Sequence, residues 1–161
     1  TLRPKALRYD YKVHVPGTPN RIRQTGFSKV TTVPGPDYCI AMLLLQKRHE
    51  DANGNITAQR VGTVVVKYGK STGGWVEDAT YEIHYGNITG KSFYNAATMG
   101  LRSHDYARNS KGKSVLVKET GWAPADATPT HIVLQFSSSH GGAYVGTVGN
   151  TFWVDNVGLV Y

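Results

Sequence analysis

Leu7, Tyr9, Tyr11, Val13 and Val15 alternate with Arg8, Asp10, Lys12 and His14, the two-residue period of a strand with one wet face. Pro16-Gly17 ends it. After a polar loop, residues 38–45 (Tyr-Cys-Ile-Ala-Met-Leu-Leu-Leu) are apolar at every position, which fits a central strand covered on both faces or a short buried helix. The short run and the turn that follows it favour the strand. Asp51-Ala-Asn-Gly-Asn55 separates this run from a strand over residues 60–68, and Asn53-Gly54 predicts a hairpin because both positions accept positive φ. Residues 71–74 read as a turn. Residues 75–85 read as a strand with Ala79, Tyr81, Ile83 and Tyr85 on one side. Residues 87–113, rich in Gly, Ser and Asn, are long for a loop and predict either a functional loop or a short helix near residues 96–101. Residues 115–118, 130–136 and 151–161 read as further strands, separated by Gly121-Trp-Ala-Pro124 and by the Ser/Gly-rich residues 137–149. Residues 151–161 are expected to close the core.

Seven or so strands, frequent turns, no strand-helix alternation and no internal repeat predict an all-β fold, an antiparallel β-sandwich of jelly-roll type, with residues 1–161 as one domain. A chain of 161 residues buries roughly 70% of the surface its unfolded form exposes, enough for a real core. Gly 18, Tyr 10 and abundant Val and Thr strengthen the β reading. No run approaches the ~18 apolar residues of a membrane-spanning helix, and residues 1–8 resemble neither a signal peptide nor a lipidation site. The single cysteine, Cys39, excludes an intrachain disulfide and sits in the most apolar stretch, as a buried inert thiol does. The formal charge of +7 is uneven, because all 18 Lys and Arg lie at or before Lys118. They are scattered singly, without a basic helix or an RNA-binding aromatic motif, so no nucleic acid partner is expected.

Asp155 is the polar residue that most needs explaining, because it shares parity on its strand with Trp153, Val157, Leu159 and Tyr161. A carboxylate on a buried face requires partners. One account is a structural Ca²⁺ held by Asp155 and nearby carbonyls. The other, which is the commoner solution, is a bulge at Asp155-Asn156 that turns both side chains out. Residues 51–55 imitate a calcium loop only loosely, since Ile56 and Gly62 stand where such a loop wants Gly and Glu. The six histidines lack zinc spacing. Ser137-Ser-Ser-His140 lacks the strained elbow of a serine nucleophile and reads as loop capping. Among strand acids, Asp78 and Glu82 share a face but lie about 13 Å apart along a strand, beyond the range of paired glycosidase carboxylates. Asn55-Ile-Thr57 and Asn87-Ile-Thr89 match the glycosylation acceptor pattern, which acts only in a eukaryotic secretory host. Sugar-binding sandwiches stack pyranose rings on exposed aromatics. Trp122, in a Gly/Pro segment, is the first candidate, followed by Trp75 at a turn and by Phe93 and Tyr94 in the long loop, whereas Trp153 is assigned to the core. For each of these, covering the edge of the core is the competing role.

Residues 132–139 (Ile-Val-Leu-Gln-Phe-Ser-Ser-Ser) and 141–161, with Gly141-Gly-Ala-Tyr-Val-Gly-Thr-Val and Val154-Asp-Asn-Val, resemble the putative carbohydrate metabolism domain family of Bacteroidetes, as do Arg3-Pro-Lys-Ala-Leu7 and Arg60-Val-Gly-Thr63. The resemblance implies a jelly roll that is secreted or anchored at the outer-membrane surface, often beside immunoglobulin-like domains, and concerned with glycans. It brings no catalytic residues. Family members usually carry further strands ahead of the Arg3-Pro-Lys segment, so the resemblance implies a fragment, a shortened variant or a domain completed by a partner chain. The function expected is therefore a noncatalytic carbohydrate-binding or glycan-associated surface module. The alternatives are a structural or adhesin-type assembly module and, further down the order, a glycoside hydrolase.

Overall fold

A computed structural model describes residues 3–16 and 20–161; Thr1, Leu2 and Gly17, the last part of the expected stop after the first strand, lie outside the described residues. The fold is all-β. In chain order the elements are β1 (Ala6–His14), β2 (Arg21–Arg23), β3 (Thr31–Thr32), β4 (Cys39–Glu50), β5 (Ile56–Tyr68), β6 (Val76–Glu82) and β7 (His84–Tyr85). After a four-residue helix α1 (Ala96–Met99) come β8 (Asp105–Arg108), β9 (Ser114–Trp122), β10 (His131–Ser137), β11 (Val145–Thr147) and β12 (Thr151–Val160).

Two sheets form the sandwich. The larger runs β10-β4-β5-β9-β8, with β7 also paired to β5, and the smaller runs β12-β1-β6. Leu7 and Tyr9 of β1 meet Ala41, Leu43 and Leu45 of β4 and Val61 and Val64 of β5 between the sheets. Each fully buried leucine contributes about 1.5–3 kcal/mol over an exposed one. Tyr68 lies between Tyr9 and Tyr81, with hydroxyl contacts of 2.6 Å to each, so the polar ends of three core tyrosines satisfy one another. β4 is buried on both faces, as its unbroken apolar run predicts. Its second face, with Ile40, Met42, Leu44 and Gln46, lies under the segment that joins β7 to β8.

The sandwich is not purely antiparallel, because β9 runs parallel to β5, from Ile56 opposite Val117 to Arg60 opposite Trp122. The chain leaves β7, crosses the outer face of the larger sheet, and returns through the β8–β9 hairpin. A third small sheet, β11-β2-β3, is built from segments that read as polar loop. Two further loop assignments are corrected: residues 105–108 are a strand, and β9 continues through Gly121 and Trp122. Residues 75–85 are two strands, not one, broken at Ile83.

The parity assigned to residues 151–161 is also corrected. Opposite the step from Arg8 to Asp10, β12 advances from Gly158 to Asp155, so it carries an extra residue, and Asn156 takes φ 50°. The bulge switches the inward parity: Phe152 and Val154 pack on the core before it and Leu159 after it. Trp153 is therefore outside, 41% exposed with Lys12 Nζ 5.1 Å from its ring centre, and Val157 and Tyr161 are exposed as well. β6 has a matching irregularity with Asp78 at φ 52°. Asp10 ties the two together, accepting from the Asp78 N–H at 2.6 Å and from Asn156 Nδ2 at 2.6 Å. These bonds, the one from Asn156 first, hold the Asp10 carboxyl below its ordinary pKa. β12 is thus an edge strand that closes the core with one face, through Phe152, Val154 and Leu159. Among the described residues no helix is long and apolar enough to cross a membrane.

Candidate functional site

The segment crossing the outer face, residues 86–104, is shaped by local bonds. Asn87 Oδ1 accepts from the Thr89 N–H at 3.0 Å, Tyr94 N–H bonds to Lys91 O at 3.0 Å, and Asn95 caps α1 through Ala97 N–H at 3.0 Å. Ile88 is its buried apolar anchor.

Its main attachment is a buried ion pair. Arg60 on β5 and Glu119 on β9 are both fully buried and bond twice, through Nε at 2.7 Å and through Nη2. The guanidinium also donates from Nη1 to Met99 O and from Nη2 to Gly100 O, both at 3.2 Å, and so caps the carbonyls at the end of α1. Glu119 in turn accepts from Gln46 Nε2 and from the Arg102 N–H, each at 2.7 Å. Every charge and most donors are paired, the condition for keeping such a pair inside a protein. Arg102 continues the chain of contacts with two bonds to Asp105, of 2.7 and 2.6 Å.

Of the four aromatics named as sugar-binding candidates, Phe93 and Tyr94 belong to this segment and Trp122 packs against it. Tyr94 meets Trp122 edge-on with ring centres 6.5 Å apart, and the Arg60 guanidinium lies 5.6 Å from the centre of the Trp122 ring. Phe93 stacks on His84 at 4.2 Å and is 42% exposed. Trp75 is not among them: 51% exposed, it precedes β6 in the smaller sheet. Asp155 is exposed in the β12 bulge, where its carboxylate accepts from the Asn156 N–H at 2.8 Å, so the burial that motivated a calcium ion does not occur. Among the described residues no three His, Cys, Asp or Glu side chains converge as a metal site.

Beside α1 a cleft of about 230 Å³ opens, floored by Ile40 and Met42 and rimmed by Arg102, His104, Gln135 and His140. His140 stacks on Tyr38 at 5.3 Å, and Lys67 Nζ sits 4.9 Å from the Tyr38 ring centre. Burial, then Lys67, hold the His140 imidazole below its ordinary pKa. The serine run caps the loop, as expected from the sequence: Ser137 Oγ donates to Ser139 O at 2.7 Å, Ser139 Oγ bonds to Asp37, and the His140 N–H donates to Asp37 at 2.9 Å. Burial opposes the Asp37 carboxylate, yet these bonds outweigh it and keep its pKa below the usual range.

Sequence reasoning missed Arg60, Glu119 and the cleft residues other than His140. The only local signal was that Arg60 directly precedes the mostly apolar run of residues 61–66 in its strand. The chain matches no protein-family model, no curated protein and no solved structure.

Proposed function

We propose that the chain is a noncatalytic glycan-binding module that stacks sugar rings on the aromatics of residues 86–104 and Trp122. The observation that carries this reading is the contact of Tyr94 with Trp122, with half-exposed Phe93 stacked on His84 in the same surface segment, which a buried ion pair holds in place. A rigid aromatic surface binds a flexible sugar at lower entropic cost than a mobile one. The resemblance to a glycan-associated family points the same way, and a secreted or surface location belongs to this reading. The test is binding of the folded protein to a panel of immobilised glycans. Phe93→Ala and Trp122→Ala should each weaken binding at least about tenfold, equivalent to 1.4 kcal/mol, while Trp75→Ala leaves it unchanged. A folded protein that binds no glycan refutes the proposal.

A second reading, an assembly module, is favoured by β10. This edge strand carries no Lys, Arg, Asp or Glu and leaves Ile132 50% and Leu134 42% exposed, without the charge or bulge that blunts edges such as β12. Sedimentation of the native protein separates the readings: a strict monomer at high concentration excludes self-assembly through β10.

A further inference from the structure

We infer that the cleft beside α1 is the subsite for an acidic group, a carboxylate or sulfate ester carried on the bound sugar; this deepens the glycan-binding reading and rests on it. Its lining contains no Asp or Glu. The polar side chains of its lining are the imidazoles of His104 and His140, the guanidinium of Arg102, the carboxamide of Gln135 and the hydroxyl of Thr98, all able to donate hydrogen bonds. Neither imidazole nor the carboxamide has a side-chain hydrogen bond within the protein among the described residues, so all three are free for a ligand.

The acids bonded to its lining residues are already engaged, Glu119 by Arg60, Gln46 and the Arg102 N–H. Asp105 is held by Arg102, and Asp37 by the N–H groups of Tyr38 and His140 and the Ser139 hydroxyl. Arg102 keeps further N–H capacity, since Nη1 faces only the weak acceptor Met42 Sδ at 3.2 Å. Lys67 adds a cation behind the His140–Tyr38 stack. The apolar floor of Ile40 and Met42 suits the C–H face of a ring and lowers the local dielectric around an anion. At about 230 Å³ the cleft is smaller than the ~300–1,000 Å³ of drug-sized ligand pockets, which fits one ring or one charged substituent. The formal charge of +7 draws acidic polymers toward the molecule as a whole.

The experiment is calorimetric titration at physiological salt with polygalacturonate, a sulfated galactan and a neutral galactan, using the wild type, the double variant His104→Ala/His140→Ala, which removes the donors, and, as a control for general charge attraction, Lys113→Gln. The expected result is a preference of at least about tenfold for one or both acidic polymers over the neutral one. The double variant should erase that preference, and Lys113→Gln should leave it in place. The two acidic arms distinguish carboxylate from sulfate. Equal binding of all three polymers overturns the inference while sparing the glycan reading. An acidic preference untouched by the double variant removes the cleft from it, and no binding of any polymer by the folded protein overturns both.

Discussion

Replacing Glu119 with Gln tests whether the Arg60–Glu119 pair holds residues 86–104. The side chains match in shape, so the perturbation is electrical. Arg60, fully buried, would face a neutral carboxamide, and one end of that carboxamide would point N–H donors at the Arg60 guanidinium or the Arg102 N–H. Removing one partner of a buried pair costs about 3–5 kcal/mol, because the other charge remains without compensation. That is a large share of the ~5–15 kcal/mol that separates a native domain from its unfolded chain. With a urea dependence of ~2 kcal/mol per molar, the unfolding midpoint should fall by about 2 M. Far-ultraviolet dichroism and tryptophan fluorescence would follow it, Trp122 beside the Arg60 guanidinium being a direct reporter. Arg60→Met/Glu119→Met removes both charges and should recover part of the loss, but not the caps on Met99 O and Gly100 O. On the proposed glycan-binding reading, affinity should therefore stay low in the double variant even where stability returns. A Glu119→Gln protein within about 1 kcal/mol of wild type would refute the reasoning, because a cost so small is that of an exposed pair.

Tyr68→Phe strands the buried hydroxyl of Tyr9 and loosens that of Tyr81, so a loss of about 1–3 kcal/mol is expected, read calorimetrically as a lower Tm at roughly 2–4 °C per kcal/mol; an unchanged Tm would show that water or another group replaces the contact. Burial, and then the Asp37 carboxylate, push the Cys39 thiol up to about 11. At pH 8 only about one molecule in a thousand carries the thiolate, so a disulfide reagent should label Cys39 in urea but not in the native protein, and equal rates in both would place the thiol outside. Because the folded pKa of Asp37 lies below its unfolded value near ~3.9, its contribution is complete above that value and is lost as pH falls through the folded pKa. Asp37→Asn should thus lower the Tm at pH 7 and flatten the acid side of its pH profile, and parallel profiles for the two proteins would exclude the carboxylate as the cause.

The parts of the fold that could be read from the chain are those where neighbouring residues settle the outcome. The alternation of β1 survives because Leu7, Tyr9 and Tyr11 all meet one core, and Asn53-Gly54 turns the β4–β5 hairpin with Gly54 at φ 87°, where an added Cβ would also strike Asn109. The double burial of β4 follows from eight consecutive apolar residues. Where the reading fails, the deciding partner is remote. Nothing within residues 151–161 announces that Asn156 takes positive φ; that depends on Asp10, which is 146 residues away and also accepts from the neighbouring irregularity at Asp78. Strands as short as β2, β3 and β11 exist only because they pair with one another, and β8 only because β9 folds back on it.

The same division explains the candidate site. Phe93 and Tyr94 in a long Gly/Ser/Asn-rich segment and Trp122 between Gly121 and Pro124 were conspicuous by type, so all three could be named before their positions were known. What fixes their positions could not, since an arginine inside a strand reads as an outward side chain until a carboxylate 59 residues later is found facing it. The parallel pairing of β5 with β9 makes that meeting, and it depends on the crossing segment itself, because only a chain that traverses the outer face can bring β9 back beside β5 in the same direction. The segment therefore creates the pair that secures it. Its carbonyls at Met99 and Gly100 close the circuit, and both the aromatic surface and the donor-lined cleft depend on that closure.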